Sequence, residues 1–356
     1  MKRIDILLLC VVVFLTFFGL LMIYNASSYV AFRDFSDKYY YLKAQSLWIA
    51  LGFLGLIIFS FFDYHKFYNL ALPLLIIAIF LLILVFIPGI GISLLGARRW
   101  IDAGVFVLQP SEFVKLSLAI YLAAWFSKKE KGRFLAFLLL LGFVVLLVML
   151  QPDMGTAVII LSLALIVYFL EGASIFHLLA LLPVVSLLGF LFIKLEPYRA
   201  ARLAAFLNPN QSLETSSYHT RQILIALGMG GLTGVGLGNS LQKYAYLPEG
   251  TTDSIFAIIA EEIGLVGALI LIVLFVIVVW RGFFIAMKTQ DKFGKLLAGG
   301  IISFLAVQMF INLAAQTALI PLTGVPLPFI SYGGSSLIVD LCAVGILLNI
   351  SKQNQA

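Results

Sequence analysis

Residues 6–24 read ILLLCVVVFLTFFGLLMIY, nineteen positions without a charge. At 1.5 Å per residue a helix of that length is about 30 Å long, the thickness of a bilayer's hydrocarbon core. The pattern recurs near 46–62, 68–87, 111–126, 134–150, 155–170, 174–194, 255–280, 297–320 and 332–350. Of the 356 residues, 62% are hydrophobic and 11% charged, whereas soluble domains carry roughly 25% charge. The expectation is an all-α integral membrane protein: about ten transmembrane helices in a single polytopic domain over 1–356.

Lys2 and Arg3 resemble the basic start of a signal peptide. The apolar run behind them is too long for an ordinary signal, and Asn25-Ala26-Ser27-Ser28 is a weak cleavage site, so 6–24 is expected to stay as the first span. Cys10 and Cys342 both fall in apolar runs, which suggests neither a disulfide framework nor a zinc site. His65, His177 and His219 are scattered and form no metal signature. The net charge of +6 is explained by basic loops at the membrane surface rather than by nucleic acid.

Those basic loops set the expected orientation. Lys128, Lys129, Lys131 and Arg133 follow the fourth span, and Arg281, Lys288, Lys292 and Lys295 follow the eighth. With Lys2 and Arg3 they mark the cytoplasmic side, which puts both termini inside. Segments 25–45, 88–110, 195–254 and 321–331 then face outward. The long polar stretch at about 195–254, between the seventh and eighth spans, is read as an extracytoplasmic loop with a function. In it Arg199 and Arg202 lie at helical spacing with Leu203, Phe206 and Leu207. Such a segment either rests in the interface with its basic groups toward anionic head groups or packs on the bundle.

Four polar clusters stand out, all on the expected outer face. They are Gly96–Asp102 leading to Gln109–Lys115, Gln151–Thr156, Gly234–Ser240 running on to Leu247–Asp253, and Pro326–Ser336. Asp253 precedes the apolar Ile255, Phe256, Ile258 and Ile259, so it is either a helix cap or a general base at the membrane surface. Glu249, Glu261 and Glu262 are rival carboxylates. The last two lie within the span, where an unpaired charge is costly, so they are expected to pair or to face a cavity. Ser111 reads as an N-cap, with Glu112 and Lys115 on one helix face as an ion pair or as site residues. Arg98 and Arg99, beside Trp100, suit either diphosphate recognition or interfacial anchoring. Asp153 is read as structural. Gly-x-Gly-x-Gly at 234–238 follows no soluble strand, so a dinucleotide site is not supported. Ser335 or Ser336 is expected to cap the last span.

In this order the clusters resemble the SEDS family, to which FtsW and RodA belong, and within it the division-type FtsW branch. The shared motifs are Gly-Ala-Arg-Arg-Trp-Ile, Gln-Pro-Ser-Glu-x-x-Lys, Gln-Pro-Asp-x-Gly-Thr, Gly-Val-Gly-Leu-Gly-Asn-Ser-x-Gln-Lys and Pro-Leu-Pro-Phe-x-Ser-Tyr-Gly-Gly-Ser-Ser. The resemblance implies an inverting peptidoglycan glycosyltransferase that joins lipid II to a lipid-linked glycan strand at the outer leaflet. It further implies a class B penicillin-binding protein as partner, along with other division or elongation proteins. The family's essential aspartate falls on Asp253, although its usual Ala-His-Thr-Asp-Phe reads Gly250-Thr251-Thr252-Asp253-Ser254 here. With that substrate granted, Asp253 takes the hydroxyl proton. Arg98, Arg99, Glu112, Lys115, Arg202, Lys243 and Glu249 become substrate-binding candidates, and a divalent cation is an optional addition. The readings from other classes are a lipid II flippase and a non-catalytic scaffold of the division machinery.

Overall fold

The computed structural model describes residues 4–94, 97–102, 104, 107–128, 132–195, 197–207, 215–244 and 246–353. Gly96, Lys129 and Lys131 therefore lie outside the described residues. Each of the ten apolar segments forms a helix: α1 (Ile6–Phe35), α2 (Tyr40–Phe61), α3 (Lys66–Leu84), α4 (Pro110–Ser127), α5 (Phe134–Leu150), α6 (Met154–Leu170), α7 (Ile175–Leu195), α10 (Ile255–Lys288), α11 (Lys292–Gln316) and α12 (Gly334–Gln353). Six of these, α1, α2, α3, α10, α11 and α12, are long and apolar enough to cross a membrane by length and composition. The protein is a mostly helical integral membrane protein.

The polar residues at the helix ends do local work. Asp5 caps α1 by accepting from the Leu8 N–H, and Asp291 caps α11 by accepting from Gly294. Pro110 starts α4, where its missing N–H costs nothing. Gln109 is the N-cap of that helix and Ser111 lies one residue inside it, which corrects the expected cap. Ser335 and Ser336 likewise fall inside α12 rather than before it.

Helices α11 and α12 form the centre; 78% and 89% of their most apolar windows are buried, against 22% for α2. Helix α2 packs on α12 through small residues. A side chain at Gly345 would meet the Leu56 carbonyl oxygen at 2.6 Å, so the backbones touch. On one face of the bundle the Asp5 N–H donates to Ser351 Oγ at 3.2 Å, and Arg281 Nε donates to the Asp5 carboxylate at 2.9 Å. The start of α1 and the ends of α10 and α12 therefore meet there.

The expected fold needs two corrections, one to its all-α class and one to its long loop. Between α3 and α4 lies a three-stranded antiparallel sheet: β1 (Gly91–Leu94), β2 (Ala97–Asp102) and β3 (Val107–Leu108), in that order. The segment has no apolar helical stripe. Its Ile92, Trp100, Ile101 and Val107 favour strands, and Ile92 pairs with Trp100 in register. The stretch 195–254 is likewise no plain loop, since it contains α8 (Pro197–Leu207) and α9 (Thr215–Gly230). In α8 the Arg199 guanidinium is buried and donates to the carbonyls of Phe192 (3.0 Å) and Met149 (3.3 Å), while Arg202 donates to Leu322 O at 3.0 Å. The basic groups turn into the bundle, where carbonyls in the last turns of α5 and α7 and at Leu322 accept from them, so the interfacial alternative gives way to packing.

The segment 255–280 is not one straight span. Gly264 has φ 70° and ψ −173°, which divides α10 into a short first piece, 255–263, and a long second piece, 265–288. Breaking a helix frees backbone groups that the membrane cannot satisfy. Here the glycine-rich loop satisfies them. Val235 and Gly236 N–H groups donate to Glu261 and Glu262 carbonyls (both 3.0 Å), and Leu265 and Val266 donate to Gly231 and Leu232 carbonyls (2.9 and 3.2 Å). A Cβ on Gly264 would sit 2.3 Å from the Gly234 nitrogen, so only glycine permits that approach.

Candidate active site

The turn 247–254 leads into α10 and is tight. Thr252 and Ser254 N–H groups both donate to Glu249 O at 3.1 Å, and Glu249 adopts the left-handed region at φ 50°. Four residues hold the turn from outside through its carbonyls. The Tyr332 N–H donates to Thr251 O at 2.9 Å, and Ser331 Oγ donates to Thr252 O. Asn312 Nδ2 and Gln316 Nε2, one turn apart on α11, both donate to Asp253 O at 2.8 and 2.7 Å.

This grip presents the Asp253 side chain at the mouth of α10 without spending it on capping. Ser254 is the N-cap residue and makes no side-chain capping bond. The Asp253 carboxylate has Thr252 Oγ1 at 3.4 Å, and that hydroxyl donates to Glu249 Oε2 at 2.7 Å. On the other side lies Gly324, at φ 74°. A side-chain carbon there would stand 3.9 Å from Asp253 Oδ2 and 4.0 Å from Arg202 Nη1, both ordinary contact distances, so carboxylate and guanidinium flank the same glycine. Burial pushes the Asp253 carboxyl up to about 7; Glu249 adds to the rise and Arg202 opposes it. A carboxyl poised near neutrality, with a fixed cation on the far side of Gly324, can accept a proton while the cation steadies developing negative charge.

The family of cell cycle proteins typified by FtsW, RodA and SpoVE matches residues 5–356. The chain belongs to this FtsW–RodA–SpoVE family. It is 40% identical to "Stage V sporulation protein E" of Bacillus subtilis (strain 168), over 99% of this chain and 98% of that protein. It is 39% identical to "Probable peptidoglycan glycosyltransferase FtsW" of Geobacter sp. (strain M18), over 98% and 97% of the two chains. Among solved structures it resembles a chain of a peptidoglycan synthase complex described as coordinating polymerization and crosslinking. There the TM-score is 0.82 at 28% identity, with 99% of each chain covered. It also resembles the rod shape determining protein RodA of Thermus thermophilus, with a TM-score of 0.74 at 27% identity, covering 99% and 98% of the two chains.

Against this FtsW–RodA–SpoVE frame the candidate residues separate. Asp253, Glu249 and Arg202 come together. Arg99 instead donates to the carbonyls of Gln151 (3.1 Å) and Pro152, tying β2 to the turn before α6, while Arg98 is exposed. Asp153 caps α6, accepting from the N–H and hydroxyl of Thr156 at 3.1 and 2.8 Å. Glu112 and Lys115 form a buried pair at 2.7 Å, extended by Gln308, Ser336 and Asp340 from α11 and α12. Lys243 lies 3.7 Å from Glu262 and donates to Asn25 Oδ1 at 3.1 Å. Glu261 accepts from Ser240 Oγ and from the Leu241 N–H at 3.1 Å. The two buried glutamates thus find partners at the break in α10. Among the described residues no three of His, Cys, Asp and Glu gather as a metal site.

Some residues beside the site carried no signal in the sequence. His219 on α9 has its Nε2 2.6 Å from Ser254 Oγ, and burial, aided by Arg202, lowers its pKa to about 4. Nothing in the chain order joins 219 to 254; only the packing of α9 along the first piece of α10 does. Asn312 and Gln316 also read as neutral residues of an apolar helix, yet their i, i+4 spacing aims both at one carbonyl.

Proposed function

We propose that the protein is a peptidoglycan glycosyltransferase that polymerises lipid II into glycan strands at the outer leaflet of the cytoplasmic membrane, for division or cell shape. In this reading both termini are cytoplasmic and about ten helices span. The 195–254 insertion, the 247–254 turn and Asp253 then face outward. The observation that supports it most is Asp253 itself, poised near neutrality opposite Arg202 in a chain whose relatives carry the glycosyltransferase name.

The reaction joins an acceptor sugar hydroxyl to the anomeric carbon of a polyprenyl-diphosphate-linked strand. Asp253 takes the hydroxyl proton as the new C–O bond forms, and the bond to the diphosphate oxygen breaks with inversion. Diphosphate leaves as an anion without needing a proton, so a cation is the required partner, and Arg202 is best placed. The class B penicillin-binding protein that would crosslink the strand fits the coupled activities named for the similar synthase complex. A flippase would also use a broken helix. Here the break is filled by the glycine loop and its glutamates are bonded, which favours the enzyme.

Asp253→Asn tests the proposal. Asparagine keeps the shape and removes the base, so strand synthesis from labelled lipid II by the folded, partner-bound variant should fall by about 10²–10⁴. Synthesis near the wild-type rate would sink the mechanism.

A further inference from the structure

Helix α1 has 30 residues, about 45 Å of helix against a hydrocarbon core of about 30 Å. Its last turns therefore rise clear of the core. On them Ala26, Val30 and Arg33, at i, i+4 and i+7, share one face, which forms one wall of a cleft of about 260 Å³. The opposite wall is Leu247–Thr251 of the turn that carries Asp253, with Gln242 and Lys243 beside it and Tyr41 at the rim. An aromatic row leads outward from there. Tyr332, whose N–H holds Thr251 O, meets Tyr41 edge-on at 5.1 Å; Tyr41 meets Tyr40 at 5.4 Å; and Phe35 stacks on Tyr40 at 3.9 Å.

We propose that this cleft is a saccharide subsite that holds one acetamido-sugar ring beside the reacting centre. The proposal rests on the glycosyltransferase reading. Two chemistries meet in the cleft, and a pyranose needs both. Its C–H faces carry slight positive charge and lie well on the electron-rich faces of aromatic rings. Its hydroxyls and amide need donors and acceptors, which Arg33, Gln242 and Glu249 offer. A diphosphate would find both cations already held, Arg33 by Asp34 at 2.7 Å and Lys243 by Asn25 at 3.1 Å, with Glu249 repelling it, and an acyl chain would bury Arg33, Gln242 and Lys243 against hydrocarbon. The size also fits, since pockets for drug-sized ligands begin at about 300 Å³, so the cleft suits one ring. Its wall reaches the base, because Glu249 accepts from the Thr252 hydroxyl, which lies 3.4 Å from Asp253 Oδ1.

The ring belongs either to the incoming disaccharide or to the growing strand, and the full-length protein with its crosslinking partner distinguishes them. Val30→Trp fills the cleft from α1, and Tyr41→Ala strips the rim; thermal unfolding and partner binding verify the fold of each. A rise of about tenfold in the KM for lipid II at unchanged strand length places the incoming sugar there. Markedly shorter strands at unchanged KM place the growing strand there. Wild-type KM and strand length in a folded variant overturn the proposal, and Tyr41→Ala decides alone if Val30→Trp does not fold. Saturation-transfer NMR with the soluble N-acetylglucosaminyl–N-acetylmuramyl disaccharide separates the two readings. Signals present in wild type and lost in the variants uphold the subsite even if strand synthesis fails. Their absence in wild type removes the subsite and leaves the glycosyltransferase reading to the Asp253 test.

Discussion

An ionised Asp253 faces Arg202 on one side and Glu249 on the other, and burial opposes its charge. With the carboxyl raised to about 7, the base is protonated below that pH, so strand synthesis should fall about tenfold per unit on the acid side. Glu249→Gln removes one cause of the rise and should move the acid limb to lower pH, as a pH–rate profile of strand synthesis will report. His219 acts differently. With a pKa of about 4 it stays neutral across the working range, so its contribution is the bond to Ser254. His219→Ala and Ser254→Ala should each slow turnover by about tenfold at unchanged KM. The double variant should be no slower than either, and His219→Gln should restore part of the rate. Additive losses in that cycle would make the two residues independent. Asp253 could be singled out in the sequence, by its place before an apolar helix and by resemblance. His219 could not, because a lone histidine signals nothing until folding chooses its neighbour.

At the scale of elements, the apolar runs were legible because lipid imposes length and composition on any helix that crosses it. The break in α10 was not, since Glu261-Glu262-Ile-Gly264 interrupts the run by only a few residues and glycine is common in membrane helices. The direction of the α8 arginines also escaped, because amphipathic spacing gives a stripe and not what covers it. The break makes its own prediction. Gly264→Ala puts a methyl group 2.3 Å from the Gly234 nitrogen on a backbone at φ 70°. It should cost more than about 2 kcal/mol, as positive-φ strain and a backbone clash combine. Thermal unfolding of the purified protein in detergent measures this, and an unchanged midpoint would remove the glycine loop from the account of α10.

For the whole molecule, the contacts of Asp5 with Ser351 and Arg281 gather both chain ends on one face, and the 247–254 turn lies at the other end of α10. Basic loops set the expected sidedness. In a background lacking Cys10 and Cys342, cysteines replacing Ser127 or Lys288 should resist an impermeant thiol reagent in intact cells, whereas one replacing the exposed Asn239 should react. The opposite pattern would turn the site to the cytoplasm and end the lipid II proposal. Charge counting yields an expected sidedness because the asymmetry of Lys and Arg does not depend on the detail of packing. Which outer residues meet one another is a property of packing alone.

The supports outside the 247–254 turn bear on which of its side chains the backbone path depends on. Tyr332, Ser331, Asn312 and Gln316 all grip carbonyl oxygens and not the side chains of residues 251–253. A carbonyl is the same whichever amino acid carries it. A replacement at 251 can therefore leave the backbone path, and with it the aim of Asp253, unchanged, whereas 254 is tied by its side chain to His219. The aim of Asp253 is thus a property of the backbone path more than of the side chain at 251, provided the four anchoring residues persist.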